Sequence, residues 1–524
     1  RYAEASKQTD ANILVRITAD CPLIDPYILD ELLKLFKSNS YDYINNTTPP
    51  TYPDGLDIEI FTKDALLKAN TYALTAYERE HVTTWMIESG KLDIYSTKSS
   101  IDYSSVRLTV DEEVDLIVIN EIVNFFKNRI DFSWSEIKLF IDKFPEIIKI
   151  NQHIKRNEGS TLSSGQKLWK RAKNIIPGGN HLLSKRPEMF LPDKWPTYYS
   201  KSSGCFIWDL DGKKFIDMCI MGIGTNVLGY GHPDIDQAVI SNIKRGNMST
   251  LNCPEEVYLA EKLVEIHDWS DMARFARTGG EANSIAIRIA RAATGKDSIA
   301  ICGYHGWHDW YLATNLTSKS RLKEHLLAGL DPKGVPNVLR DTVHPFSYNN
   351  IDQLKNIIKN NKLAAIKMEV QRDEPPSDGF LESIRSICDK EGIVLIFDEC
   401  TSGFRETYGG LHLKYKVNPD MAVFGKALGN GYAISAVIGR ENIMQSAQET
   451  FISSTFWTER VGPTAALKTL EVMEREKSWE LITANGEYIK NSWVNLAKDN
   501  DLKITTFGIA ALAGFRFDSK NALE

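Results

Sequence analysis

The chain has 524 residues, of which 43% are hydrophobic and 25% charged, the balance of ordinary globular protein with room for three or four domain-sized units. A net charge of −7 leaves no basic footprint for nucleic acid or an anionic membrane, and no apolar run approaches the ~20 residues of a membrane span. Seven scattered cysteines without a CxxC pair suit a reducing, cytoplasmic compartment better than a disulfide framework.

In chain order, NILVRITAD predicts a strand ending at Asp20, and Asp25-Pro26 opens a helix with Ile28, Leu29, Leu32 and Phe36 on its apolar face. LDIEIF alternates at period two, which predicts a half-buried strand. VRLTVD predicts another strand, ending at Asp111, and the helix after it places Leu116, Ile119, Val123 and Phe126 together. Aspartates at strand ends can hold Mg²⁺ against phosphate oxygens, or simply cap the helices that follow. KINQHIKRNEGSTLSSG is polar and aperiodic, and predicts a linker over 149–162.

Beyond it, residues 163 to 180 predict a short helix stopped by Pro177-Gly178-Gly179, and CFIWDLDGKKFIDM predicts two strands about an Asp-Gly turn. RFARTGGEANSIAIRIARAATG predicts a strand, a turn at Thr278-Gly279-Gly280 and a helix; such a helix start can seat an anion, although many bind nothing. In IAICGYHGWHDW, His305 and His308 lack partners at metal-ligand spacing, so Tyr304 or His305 is better used stacking on a ring. The runs Val394–Phe397 and Met421–Phe424 predict strands buried on both faces, one ending at Asp398 and the other running into Gly425-Lys426. Ligands of open α/β sheets bind at such strand ends. A desolvated amine there can react with an aldehyde cofactor, and a carboxylate can keep a pyridine nitrogen protonated. A buried Asp–Lys ion pair is the plain alternative.

Two resemblances then enter. The blocks RITADCPLIDP, DYINNT, TYPDGLDIEIF, YEREHVT and RLTVDEEVDL resemble the sugar-activating cytidylyltransferases of the spore-coat-polysaccharide type, over residues 1–148. This implies a nucleotide-sugar-transferase-like, Rossmann-like fold, CTP and Mg²⁺ as ligands, and Asp20 and Asp111 as metal ligands. The family's opening Gly-rich loop is missing, so the front domain is expected to be truncated at its start and inactive in nucleotidyl transfer.

Residues 163–524 resemble the class III, fold-type I pyridoxal-phosphate (PLP) aminotransferases, and among them glutamate-1-semialdehyde 2,1-aminomutase. The blocks are AKNIIPGGN, WDLDGKKFIDM, LGYGHPDI, TGGEANSIAIRIAR, YHGWHD and the stretch from IFDE to GKALGNG, with Lys426 28 positions after Asp398 as in that family. The resemblance implies that Lys426 links to PLP and Asp398 faces its ring nitrogen. Thr278, Gly279 and Gly280 would seat its phosphate, Gly280 replacing a more usual Thr; Tyr304 or His305 would stack on the ring. Glu369 stands at the family's active-site glutamate, and Cys400 where an apolar residue backs the ring. FISSTFWTER implies a homodimer in which Thr455 serves the partner's site. The small C-terminal domain is expected to be incomplete. The aminomutase's substrate-carboxylate Ser and Arg fall at Leu182 and Lys185, with Arg186 next, and VQRDEPPSDG follows Glu369. The expectation is an aminotransferase acting on a keto or aldehyde sugar, or a related keto acid, in surface-polysaccharide synthesis, with glutamate as donor. The alternatives are an aminomutase, and a front half that only binds nucleotide or scaffolds a partner.

Overall fold

The computed structural model describes residues 2–73, 78–79, 81–127, 129, 131–154, 156, 163–192, 194–318, 321–322 and 330–519. The chain divides into two units, Arg1–Tyr198 and Tyr199–Glu524. Half of the expected linker at 149–162 lies outside the described residues, and the division falls further along, so residues 163–198 group with the front unit.

The front unit is built on a four-stranded sheet of order β1-β3-β2-β4, with β1 at Ile13–Arg16, β2 at Tyr43–Asn45, β3 at Glu59–Thr62 and β4 at Ile94–Ser96. Its core joins Leu32 and Phe36 of the helix Pro26–Ser38 to Ile44, Ile58, Ile60 and Phe140. That helix starts where the sequence places it, because Asp25 accepts from the Tyr27 N–H at 2.7 Å and fills the cap. Three expectations need correction. LDIEIF is buried on both faces; Glu59 tolerates this because Arg16 pairs with it and the Tyr43 hydroxyl donates to it at 2.5 Å. VRLTVD joins no ladder beyond a single bridge between Asp54 and Arg107, since Arg107 turns inward to a carboxylate cluster. The helix Glu113–Phe125 buries Val118, Ile119 and Ile122 and leaves Leu116 50% exposed, so its inner face is rotated from the expected one.

The second unit carries a seven-stranded sheet of order β10-β9-β11-β12-β13-β14-β8. Its strands are β8 (Met272–Ala276), β9 (Ser298–Cys302), β10 (Val343–Pro345), β11 (Leu363–Met368), β12 (Val394–Asp398), β13 (Met421–Phe424) and β14 (Ser435–Gly439). β14 pairs antiparallel with both neighbours, and the remaining pairings are parallel. Alternate residues of β12 go to opposite faces. Val394 and Ile396 pack with Ile285 and Ile289 of the helix Gly279–Thr294; Leu395 and Phe397 pack with Leu381 and Ile384 of the helix Phe380–Glu391. Each such side chain contributes roughly 1.5–3 kcal/mol on burial. This double burial explains the unbroken apolar runs in the sequence. A three-stranded antiparallel sheet, β5 (Tyr199–Ser203), β6 (Phe206–Asp209) and β7 (Lys214–Ile216), and the hairpin β15 (Ile504–Phe507) and β16 (Gly514–Phe517) complete the unit. Among the described residues, no helix is long and apolar enough to cross a membrane.

Candidate active site

Five strands that run the same way, β8, β9, β11, β12 and β13, end at one edge of the large sheet. Thr278–Gly280 follow β8, Tyr304 and His305 follow β9, and Glu369 follows β11. Asp398 is the last residue of β12, and Lys426 follows β13. The expected residues are therefore gathered by topology alone, at the position where open α/β sheets bind ligands.

Asp398 is 2% exposed. Its Oδ2 accepts from His305 Nδ1 at 2.8 Å, and its Oδ1 accepts from the Cys400 N–H at 3.1 Å. Lys367 Nζ stands 3.7 Å from Oδ2. Burial by itself would raise this carboxyl's pKa; the Lys367 charge, the His305 bond and the Cys400 N–H outweigh it and hold the group well below the usual carboxylate range. His305 is 1% exposed and bonded to Asp398, so it orients the carboxylate instead of stacking on a ring. Tyr304, half-buried, keeps the ring-facing option.

Lys426 Nζ donates to Thr401 Oγ1 at 3.0 Å. Burial first, and then the Arg405 and Arg372 charges, push its pKa down, against the pull of Cys400 and Glu369. An amine so placed is easily freed of its proton, which a nucleophilic lysine requires. Its backbone is left-handed at φ 41°, a strained conformation of the kind that collects at working sites.

The turn after β8 is closed by a capping box: Glu281 N–H donates to Thr278 Oγ1 at 3.3 Å, and Thr278 N–H donates to Glu281 Oε2 at 2.9 Å. Two N–H groups of the first turn, on Gly279 and Gly280, have no intrahelical acceptor. Both positions are tight for a side chain. A Cβ on Gly279 would lie 3.1 Å from Cys400 Sγ, and one on Gly280 would lie 3.2 Å from His308 Nε2. Cys400 thus lies against the floor beside Gly279 and Gly425, and burial drives its thiol pKa well up, so it behaves as an apolar filler.

Glu369 Oε2 accepts from the Tyr304 N–H at 3.2 Å and from Arg372 Nη1 at 2.9 Å. Gly303, at φ 123°, is what lets it fit, since a Cβ there would lie 2.5 Å from Glu369 Oε2. Burial raises this carboxyl to about 7 despite Arg372.

A desolvated amine, an ionised buried carboxylate and a helix start stripped of side chains form a donor set that fits PLP's aldehyde, ring nitrogen and phosphate. Thr455 is exposed on the short helical turn Thr455–Thr458, whose Trp457 Nε1 donates to Glu281 Oε1 at 3.2 Å. Sequence reasoning missed Thr401, Arg405 and Lys367. Lys367 shares parity with Glu369, which follows the end of β11, but that parity alone does not bring it beside Asp398.

The front-unit pair behaves differently. The Asp20 carbonyl accepts from the Val110 N–H at 2.9 Å, which brings the two segments together. The Asp111 carboxylate, however, is bonded to Arg107 Nη2 at 2.8 Å. A guanidinium already supplies the positive charge to Asp54, Asp111 and Asp115, and among the described residues no group of three or more His, Cys, Asp or Glu is placed to hold a metal ion, so the geometry does not support Mg²⁺ at Asp20 and Asp111.

Comparison with known proteins agrees with the rear site. Residues 192–519 match the aminotransferase class-III family. The chain is 37% identical to the 3-aminobutyryl-CoA aminotransferase of Cloacimonas acidaminovorans over 62% of this chain and 76% of that protein. It is 33% identical to the glutamate-1-semialdehyde 2,1-aminomutase of Methanothrix thermoacetophila over 67% and 81% respectively. The FumI protein of Sphingopyxis sp. MTA144, solved in a PLP form, superposes with a TM-score of 0.62 at 26% identity, covering 69% of this chain and 84% of that one. Amine, carboxylate and glycine turn at one sheet edge, together with a family match across most of the chain, make this protein a member of the class-III aminotransferases, with PLP as the cofactor its site is built to hold.

Proposed function

We propose that the chain transfers an amino group from glutamate to a keto or aldehyde sugar, or a related keto acid. The observation that carries the acceptor class is Arg372. Its Nη1 is bonded to Glu369 Oε2, which fixes it at the site, and a guanidinium has five N–H donors in all. The segment it sits on is held by the Gly508 N–H, which donates to the Asp373 carbonyl at 2.9 Å, and by the Tyr415 hydroxyl, which donates to Gln371. Arg405 adds a buried cation, bonded to the carbonyls of Thr401 and Gly224. A rim of fixed donors suits a substrate with many hydroxyls or a carboxylate better than an apolar amine.

PLP, when bound, supplies an aldehyde carbon and an electron-withdrawing ring. Lys426 is the base that moves a proton at its Nζ, helped by the burial that lowers its pKa. Asp398, buried and ionised, would hold the ring nitrogen of bound PLP and favour its protonated form. Thr401 holds the Lys426 amine near 3.0 Å when it is at rest.

An aminomutase reading is favoured by a different observation, the 33% identity to a protein of that name. The front unit is read as a cytidylyltransferase-like scaffold, supported by the juxtaposition of the Asp20 and Asp111 segments and without a metal-dependent step. The deciding experiment supplies glutamate with a panel of keto sugars and keto acids, and in parallel glutamate-1-semialdehyde alone and 3-aminobutyryl-CoA as donor. Glutamate-dependent amination of a sugar or keto acid is expected. Isomerisation of the semialdehyde without added donor, and no amination of the panel, would establish the aminomutase instead.

A further inference from the structure

The loop that follows β9 is folded onto the start of the helix Gly279–Thr294. Gly306, at φ 107°, allows the contact, since a Cβ there would lie 3.1 Å from the Gly280 Cα. Two residues on, the His308 ring covers Gly280: a Cβ on Gly280 would meet Nε2 at 3.2 Å and Cδ2 at 3.3 Å. The imidazole edge and a side chain at position 280 therefore compete for one space. In this chain the ring has it, with Gly280 in place of a more usual Thr.

The ring is held from behind. His308 Nδ1 lies 2.6 Å from Ser284 Oγ, one turn further along the same helix, and Trp310 Nε1 donates to that oxygen at 3.0 Å. An indole N–H can only donate, so the Ser284 hydroxyl accepts from Trp310 and satisfies its own hydrogen on Nδ1. That puts the ring proton on Nε2, the nitrogen over Gly280. Burial lowers the His308 pKa, against the pull of Glu281 and Asp309, and a neutral ring in this tautomer is still a donor at Nε2. Beside it are the Gly279 and Gly280 N–H groups, which have no intrahelical acceptor. Three N–H groups are thus gathered at one helix start, where an anion is favoured.

We propose that His308 is a cofactor-binding residue whose Nε2–H holds the phosphate of PLP over Gly280, in place of a hydroxyl at position 280. The proposal rests on PLP binding at the Lys426–Asp398 site. Ser284 and Trp310 are positioning residues behind it, since they fix the tautomer and the place of the ring. A hydrogen bond to a charged group contributes more than one between neutral groups, enough for roughly ten- to a hundredfold in affinity.

The test strips the full chain of PLP and titrates it with PLP and, separately, with pyridoxal, which lacks the phosphate, reading the absorbance of the bound form. His308→Ala is expected to weaken PLP binding about tenfold or more and to leave pyridoxal binding unchanged. His308→Phe keeps a ring over Gly280 and removes the donor; it is expected to behave as the alanine variant does, so a folding failure of either one still leaves a result. Adding Gly280→Thr to His308→Ala puts a hydroxyl into the space the ring has vacated, and is expected to restore part of the lost PLP affinity. An unchanged PLP affinity in the variants, or an equal loss for PLP and pyridoxal, would make His308 a packing residue and overturn the proposal. Wild-type chain that takes up no PLP would instead remove the cofactor assignment, and the proposal with it.

Discussion

Glu369 is a carboxyl that burial keeps protonated well above the range of an exposed one, to about 7, although Arg372 and the Tyr304 N–H both favour its ionised form. Its folded pKa therefore exceeds its unfolded value of ~4.3. The stability it lends is present below that unfolded value and is lost as pH rises through about 7. Urea midpoints taken at pH 5 and pH 8 should show the wild type losing stability relative to Glu369→Gln, whose amide stays neutral at both. An identical difference at the two pH values would refute the assignment. Asp398 and Lys426 were legible before any coordinates, because two apolar runs end on ionisable residues at a fixed interval. Lys367 was not. A lone lysine in LAAIKME reads as a solvent-facing strand position, and only the pairing of β11 with β12 brings it beside Asp398.

The loop after β12 shows the same logic one level up. Glu399 accepts from the backbone N–H of His412 at 3.0 Å, from His412 Nδ1 at 2.8 Å and from the Ser402 hydroxyl. Trp269 Nε1, which can only donate, reaches His412 Nε2 at 2.9 Å, so that ring is neutral with its proton on Nδ1. His267 is held in the same tautomer, with Nε2 accepting from the Gly410 N–H at 3.0 Å and Nδ1 donating to the Leu263 carbonyl at 2.9 Å. Burial pushes its pKa down to about 4. In the unfolded chain it protonates near ~6.5, so the unfolded state binds the extra proton as pH falls. Its stabilising effect is whole above ~6.5 and is lost progressively toward pH 4, about 3 kcal/mol in all. His267→Gln should flatten the fall in melting temperature between pH 7 and pH 4.5; a fall as steep as the wild type's would refute this. The effect has the opposite sign to that of Glu369, and the two variants separate them. Elements such as this loop stayed illegible in sequence because the partners lie far apart along the chain, whereas the helix start at Asp25 was readable from local capping chemistry and the one after Thr278 from its glycine turn. The inner face of the helix Glu113–Phe125 was misassigned because its apolar residues spread over a broad arc, which leaves periodicity little to choose between the Leu116 and Val118 sides.

At the scale of the whole molecule, the polar composition of 149–162 did not reveal that the units divide at Tyr198, since compactness depends on packing that composition does not carry. What remains is how the second unit completes its site. Thr455 is exposed, while Trp457, two residues on, is tied to Glu281 and its carbonyl accepts from Arg277 Nη2 at 2.9 Å. A residue projecting from so firmly rooted a turn is placed to reach outward. Around it the unit exposes large apolar side chains, among them Phe451 at 82%, Phe456 at 70% and Trp307 at 70%, more than a lone soluble unit keeps in contact with water without a use. We propose a homodimer in which Thr455 of each protomer serves the other's cofactor phosphate, an arrangement that would account for both. Lys426→Ala and Thr455→Ala should each be impaired alone. Mixed and allowed to exchange subunits, they form hybrids in which one site has both residues mutated and the other has both intact. Activity should therefore rise on mixing, while a protein that sediments as a fully active monomer, or a mixture that stays as weak as its components, would show that each chain completes its own site.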